Sequence, residues 1–173
     1  MAALNPIALR ALLRGDGQAD RVVPPTGFTA RLTLLAAAAM AFLAVFAFLT
    51  LLYSFAVTDL SVRLVATNSH SLKPFLFKIT GTWGNHEGSM LLWVLSGALL
   101  GATAACVGVN LPPSLRARAL AVQGAIGVAF LAFILFTSNP FVRLAVPPFD
   151  GQDLNPLLQD PGLAFHPPFL YLG

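Results

Sequence analysis

Cysteine is almost absent from this sequence: Cys106 stands alone, inside an apolar run. A single thiol forms no internal disulfide, and there is no Cys-x-x-Cys redox pair and no Cys-x-x-Cys-His haem-attachment site. These absences exclude a disulfide-stapled domain and a c-type cytochrome, and Cys106 is expected to be a small packing residue. Charge is scarce as well. Asp, Glu, Lys and Arg make up 10% of the 173 residues, against roughly a quarter in a soluble domain. So little charge cannot keep a soluble surface hydrated. The net charge is only +3, and no basic cluster is interleaved with aromatic side chains, so no nucleic acid is expected as a partner.

What is present is apolar. Hydrophobic residues form 57% of the chain, above the roughly 45–50% of soluble domains. Three runs are long enough for a bilayer, whose hydrocarbon core takes about 20 residues of helix. The first, Leu32 to Val57, carries no charge and is bounded by Arg31 and Asp59. The second, Gly88 to Val109, ends at Asn110-Leu111-Pro112-Pro113, a helix stop. The third, Ala119 to Thr137, is interrupted only by Gln123 and ends at Ser138-Asn139-Pro140. The first run is 26 residues long, beyond the roughly 7–15 of a signal peptide, so it reads as a retained span. The expected fold class is an all-α integral membrane protein with three transmembrane helices and an irregular Pro-rich outer tail.

Alternate segments differ in basic charge. Residues 1–31 hold four Lys/Arg and the 110–118 loop two; the 58–87 loop holds three and the 138–173 tail one. The positive-inside rule then places the N-terminal segment and the short loop in the cytoplasm, with the 58–87 loop and the tail outside, in a bacterial periplasm. Ile7, Leu9, Leu12 and Leu13, with Arg10 and Arg14, suit a short interfacial helix, followed by a linker from Gly15 to Thr26. In the spans, Gly97, Ala98, Gly101, Ala102 and Ala105, with Gly124 and Gly127, would allow close helix approach, and Gln123 could hydrogen-bond across the interface.

The outer loop ends in Trp83-Gly84-Asn85-His86-Glu87-Gly88-Ser89. Asn85 suits an N-cap, and Glu87 then lies in the first turn, favourably placed against the helix dipole. Trp83 fits the headgroup level, and His86, Met90 and Trp93 share one helix face. By spacing alone this is a polar helix terminus contributing to a site or a capped, aromatic-anchored helix. A zinc-protease motif is excluded, because Met90 stands where its second histidine belongs.

The tail carries Asp150-Gly151-Gln152-Asp153-Leu154-Asn155-Pro156, then Asp160-Pro161-Gly162 and His166-Pro167-Pro168. Asp150-Gly151 and Pro161-Gly162 are turn signals. Prolines push the preceding residue toward extended geometry, so His166 is expected on a stiff non-helical backbone, in an irregular layer over the helix ends. An imidazole so held suits an axial ligand for haem or a local hydrogen bond that orders the loop.

The stretch from Trp83 to Trp93 resembles the Trp-Gly-x-His-Glu-Gly-Ser signature of the CcmF/NrfE haem lyase family. The stretch from Asp153 to Tyr171, with Asp153, Asn155, Asp160, His166, Pro167 and Pro168, resembles a second signature of that family, and Ser138-Asn139-Pro140-Phe141 fits between them. The resemblance covers residues 50 to 173. It implies a bacterial inner-membrane protein of cytochrome c-type biogenesis, which receives haem from the haem chaperone CcmE. With CcmH-type subunits, such a protein joins the haem vinyl groups to the thiols of apocytochrome c. His166 matches the first of two outward histidines in the family, so the resemblance makes it the candidate axial ligand of transiently bound haem. Trp83, His86, Glu87, Trp93, Asp153, Asn155, Asp160, Pro167 and Pro168 are supporting candidates. No catalytic residue is assigned, and no metal other than haem iron is expected.

Residues 1–31 do not resemble the additional helix that begins family members. The chain also stops before their tryptophan-rich segment, second outward histidine and b-haem ligands. It therefore reads as an N-terminal piece, or a split gene product, inactive alone. Rival readings are an NrfE-type lyase for nitrite reductase maturation, a structural membrane subunit without haem contact, and a divalent-metal site of His70, His86, Glu87 and His166.

Overall fold

The computed structural model describes residues 27–107, 112–153 and 155–172. The expected interfacial helix of residues 7–14, the linker after it and the Asn110-Leu111 helix stop lie outside them. The fold is all-α, with no strand among the described residues beyond one isolated antiparallel bridge between Val62 and Arg143. Among the described residues three helices are long and apolar enough to cross a membrane: α1 (Gly27–Ala56), α4 (His86–Val107) and α5 (Pro113–Phe136). Two short helices, α2 (Arg63–Asn68) and α3 (Phe75–Gly81), lie between α1 and α4. Beyond α5 the chain runs without regular structure to a 3-10 turn (Pro156–Gln159) and ends in α6 (Pro161–Leu172).

Helix α5 starts earlier than Ala119 and takes Arg116 and Arg118 into its first turns. Pro113 explains this. At a first helical position proline's fixed φ suits the helix, and its missing N–H had no partner to lose. The pair Pro112-Pro113 therefore starts a helix.

Helix α4 is central and packs on both α1 and α5. Small residues let the three helices meet closely. Ala41 and Ala44 of α1 meet Val94 and Ala98 of α4 and Ile134 of α5 in one buried cluster. Lipid is as apolar as leucine, so close packing and interhelical hydrogen bonds hold such helices together. One such bond is present: Gln123 Nε2 donates to the Gly97 carbonyl. Gly101 leaves room for that amide, since a Cβ there would lie 3.0 Å from Nε2. Gly97 and Gly124 themselves, expected at close approaches, face open space. Cys106, expected to pack internally, is exposed. Phe42, Leu43, Phe46 and Leu49 on α1, and Val122, Ile126 and Leu135 on α5, also point outward. Such surfaces need lipid around them, and the protein is an integral membrane protein.

A second cluster seals the end of the bundle where α1 gives way to α2. Leu51 and Phe55 are fully buried against Val62, Leu64, Val65 and Leu91. Helix α1 stops in a Schellman arrangement, with Asp59 N–H bonded to the Ser54 carbonyl and Thr58 N–H to Phe55. Thr58 takes the left-handed position (φ 56°) that glycine usually fills. Its hydroxyl accepts from Lys78 Nζ at 2.8 Å, which ties this corner to α3.

Candidate functional site

The tail folds back over the loop between α1 and α4, so the two segments with the unusual motifs meet at one end of the bundle. Arg63 N–H donates to Val142 and Leu144 N–H to Ser61, framing the isolated bridge. Further on, both oxygens of Asp150 are used. Ser71 N–H and Gly151 N–H donate to Oδ1 at 3.1 and 2.7 Å, and the Ser71 hydroxyl donates to Oδ2 at 2.6 Å. His70 Nε2 lies 3.3 Å from the same Oδ2, while its Nδ1 accepts from Leu72 N–H. The Ser71 hydroxyl is the main reason the Asp150 carboxyl sits below its ordinary pKa, with the Gly151 N–H adding to it.

Gly151 is required by close approach, because a Cβ there would run into the Ser69 carbonyl oxygen. Gln152 N–H then donates to the Ala66 carbonyl at 2.7 Å. Lys73 completes this clasp. Its side chain is 1% exposed, and Nζ donates to the Asn68 carbonyl at 3.0 Å and pairs with Asp153 Oδ1 at 3.4 Å. Burial lowers the Lys73 pKa, and the Asp153 carboxylate opposes that shift.

At the start of α4, Asn85 is the expected N-cap: its Oδ1 accepts Gly88 N–H at 2.7 Å. Its amide reaches back to the Gly81 carbonyl, also at 2.7 Å. Gly88 is fixed by contact, since any Cβ would collide with the Thr82 carbonyl. Glu87 lies in the first turn, as expected. Ser89 Oγ donates to the Trp83 carbonyl at 2.7 Å. His86 meets Phe133 edge-on, and with Met90, Ala129 and Phe130 it lines an open cleft between α4 and α5. Trp93 packs edge-on against Phe130 (4.8 Å) and Tyr171 (5.8 Å).

His166 is not on an extended backbone. Residues 161–172 form α6, with Pro167 and Pro168 inside it. The expected turn at Pro161-Gly162 is instead a helix start. Asp160 Oδ1 accepts Leu163 N–H at 3.1 Å as the N-cap, and Pro161 takes the first helical position. Proline's disfavour for helix is overcome by tertiary contacts on one face. There Ala164 is buried, the Ala164 carbonyl accepts Trp83 Nε1–H at 2.7 Å, and Tyr171 meets Trp93. Trp83 thus commits its indole N–H to α6, and its ring stacks with Phe48.

The other face of α6 carries Leu163, His166, Phe169 and Leu170 at helical spacing, all exposed. His166 makes no hydrogen bond or ion pair with a described residue. The arrangement fits one axial ligand of haem: a free imidazole on a fixed helix, flanked by apolar side chains that suit a macrocycle. Pro167 and Pro168 are half-buried in α6. Asp153 lies in the clasp, where Gln159 also donates to it at 3.3 Å, and Asn155 is exposed ahead of the 3-10 turn. Among the described residues no three His, Cys, Asp or Glu converge as a metal site. Asp150, Ser71, Lys73 and Ala164 were not marked by sequence. Of these only Asp150 has a local signal, its turn with Gly151, because the partners lie about 80 residues away.

Fold and site together define a polytopic membrane protein whose interspan loop and tail build one ordered crown, with an exposed histidine on helix α6. Residues 83–173 match the family model of the cytochrome c assembly proteins. The chain belongs to that family. It is 68% identical over 127 residues to a cytochrome c-type biogenesis protein, ccl1, of Rhodobacter capsulatus, covering 73% of this chain and 19% of that protein. It is 52% identical over 128 residues to cytochrome c-type biogenesis protein CcmF of Escherichia coli (73% and 20%). It is 49% identical over 123 residues to cytochrome c-type biogenesis protein NrfE of Haemophilus influenzae (71% and 19%). The chain thus spans about a fifth of the length of the curated relatives it matches. No solved structure matches.

Proposed function

We propose that this chain supplies part of the haem platform of a cytochrome c haem lyase. Haem is the substrate, passed on for attachment to the cysteine thiols of apocytochrome c, and the haem iron is held in transit by the neutral imidazole of His166. The observation that carries this reading is the free His166 ring on a helix pinned from behind, with Leu163, Phe169 and Leu170 exposed beside it. An exposed apolar helix face around an imidazole that has no partner among the described residues suits a flat apolar ligand. Family membership supplies the class of ligand. In this reading the crown faces the periplasm from the bacterial inner membrane, CcmE delivers the haem, and CcmH-type subunits present the apocytochrome.

The test is His166→Ala in the full-length protein, purified from membranes. Loss of the outer haem from the absorption spectrum is expected, with the protein level in the membrane unchanged. Unchanged haem content would overturn the ligand role and favour a structural subunit.

A further inference from the structure

Pro168 and Trp83 are matched to each other. In an uninterrupted helix the N–H of residue 168 would donate to the carbonyl of Ala164. Proline has no N–H, so this carbonyl is left without its helical donor. Ala164 is only 5% exposed, and a buried carbonyl needs a partner. The partner is the Trp83 indole, at 2.7 Å. That donor is itself held in place. Phe48 stacks on the indole, Ser89 bonds the Trp83 carbonyl, and the Asn85 cap fixes the turn that leads from Trp83 into α4.

Ala164 and His166 are two residues apart, about 200° around a helix of 3.6 residues per turn. A bond fixed to the Ala164 carbonyl therefore turns His166 to the opposite, outward side. We propose that Trp83 is a positioning residue for His166: the carbonyl vacated by Pro168 receives its indole, and this bond, with the Tyr171–Trp93 contact on the same face, sets the rotation of α6. The role rests on the reading of His166 as the haem-facing residue. It gives the two sequence motifs one shared purpose, since one provides the donor and the other the acceptor.

The test turns on Pro168→Ala. Alanine favours helix far more than proline does, so a purely structural role predicts a firmer α6 and an unmoved His166. The positioning role predicts the reverse, because the restored N–H competes with the indole for the Ala164 carbonyl. The chain has two tryptophans, so its indole region shows two nitrogen-15 signals, and Trp93→Phe assigns them. In detergent-solubilised full chain, Pro168→Ala should speed exchange of the Trp83 indole N–H at least tenfold and move the His166 ring resonances. Ferric haem affinity, read from the part of the Soret change that His166→Ala abolishes, should fall at least threefold in Pro168→Ala and in Trp83→Phe. The double variant should fall no further. Slow indole exchange or unmoved His166 resonances in Pro168→Ala would overturn the proposal. If His166→Ala leaves the haem spectrum unchanged, the haem reading falls alone, and the ring resonances still decide the positioning role.

Discussion

Asp150 joins the tail to the loop with both of its oxygens, and its carboxylate form is the one that accepts. Four polar groups converge on it: the Ser71 N–H and hydroxyl, Gly151 N–H and His70 Nε2. Its pKa is therefore lowered from the ordinary 3.8. The unfolded chain takes up the proton first as pH falls, so the stabilisation is present at neutral pH and is lost as pH drops through the folded value, below 3.8. Hydrogen-exchange protection of the Ser71 amide should hold at pH 5 and collapse on further acidification, and Asp150→Ala, which leaves no acceptor, should remove it at every pH. Protection that persists in Asp150→Ala would show that the clasp does not depend on the carboxylate. Gly88 is a second single-residue control. A Cβ there meets a backbone carbonyl that cannot swing aside, so Gly88→Ala should cost about 3 kcal/mol, at the upper end of overpacking. Thermal unfolding in detergent would measure it. The Asn85 cap was legible in sequence because capping is local. The demand for glycine at 88 was not, because the colliding Thr82 carbonyl is placed by the tertiary fold.

At the scale of elements, α1, α4 and α5 follow from hydropathy alone, because lipid imposes a long unbroken apolar run. Helices α2 and α3 were hidden in the loop, being six and seven residues long. A helix so short has no stability of its own, and packing decides whether it forms. Helix α6 was missed for a different reason. Two internal prolines argue against helix, and their weight concealed the start signal in Asp160-Pro161, an N-cap followed by proline at the first helical position. A 12-residue helix with two internal prolines has little intrinsic stability, so its cap should matter more than usual. Asp160→Ala should destabilise α6 by about 1 kcal/mol, the usual worth of an N-cap. The loss should appear as faster exchange of the Leu163 and Ala164 amides and of the Trp83 indole N–H together. Faster exchange at the amides alone would mean that Trp83 holds α6 whether or not its first turn is capped.

Across the whole molecule, α5 is held at two levels. At its crown end, Ile134 sits in the buried cluster with Ala41, Ala44, Val94 and Ala98, and the chain beyond Phe136 is tied into the crown through the Val62–Arg143 bridge. At mid-depth, Gln123 bonds the Gly97 carbonyl. Between these levels α4 and α5 separate around a cavity of about 340 Å³, bounded by Trp93, Gly97, Gln123, Gly127, Phe130 and Tyr171 among others. The crown couples positions about 80 residues apart, which no local pattern encodes, whereas the lone polar residue of the third span marks its own role. Interhelical hydrogen bonds in membranes are worth about 0.6 kcal/mol on average and up to roughly 1.7. Gln123→Leu should therefore cost about 1 kcal/mol without unfolding the protein, because the ties at the crown remain. The loss should also be localised. Cysteine pairs placed across the α4–α5 seam on the side of Gln123 away from the crown should cross-link more slowly in Gln123→Leu than in the parent. Pairs near Ile134 should cross-link at the parent's rate. Equal slowing at both levels would mean that α5 moves as one rigid body and that Gln123, rather than the crown, sets its position.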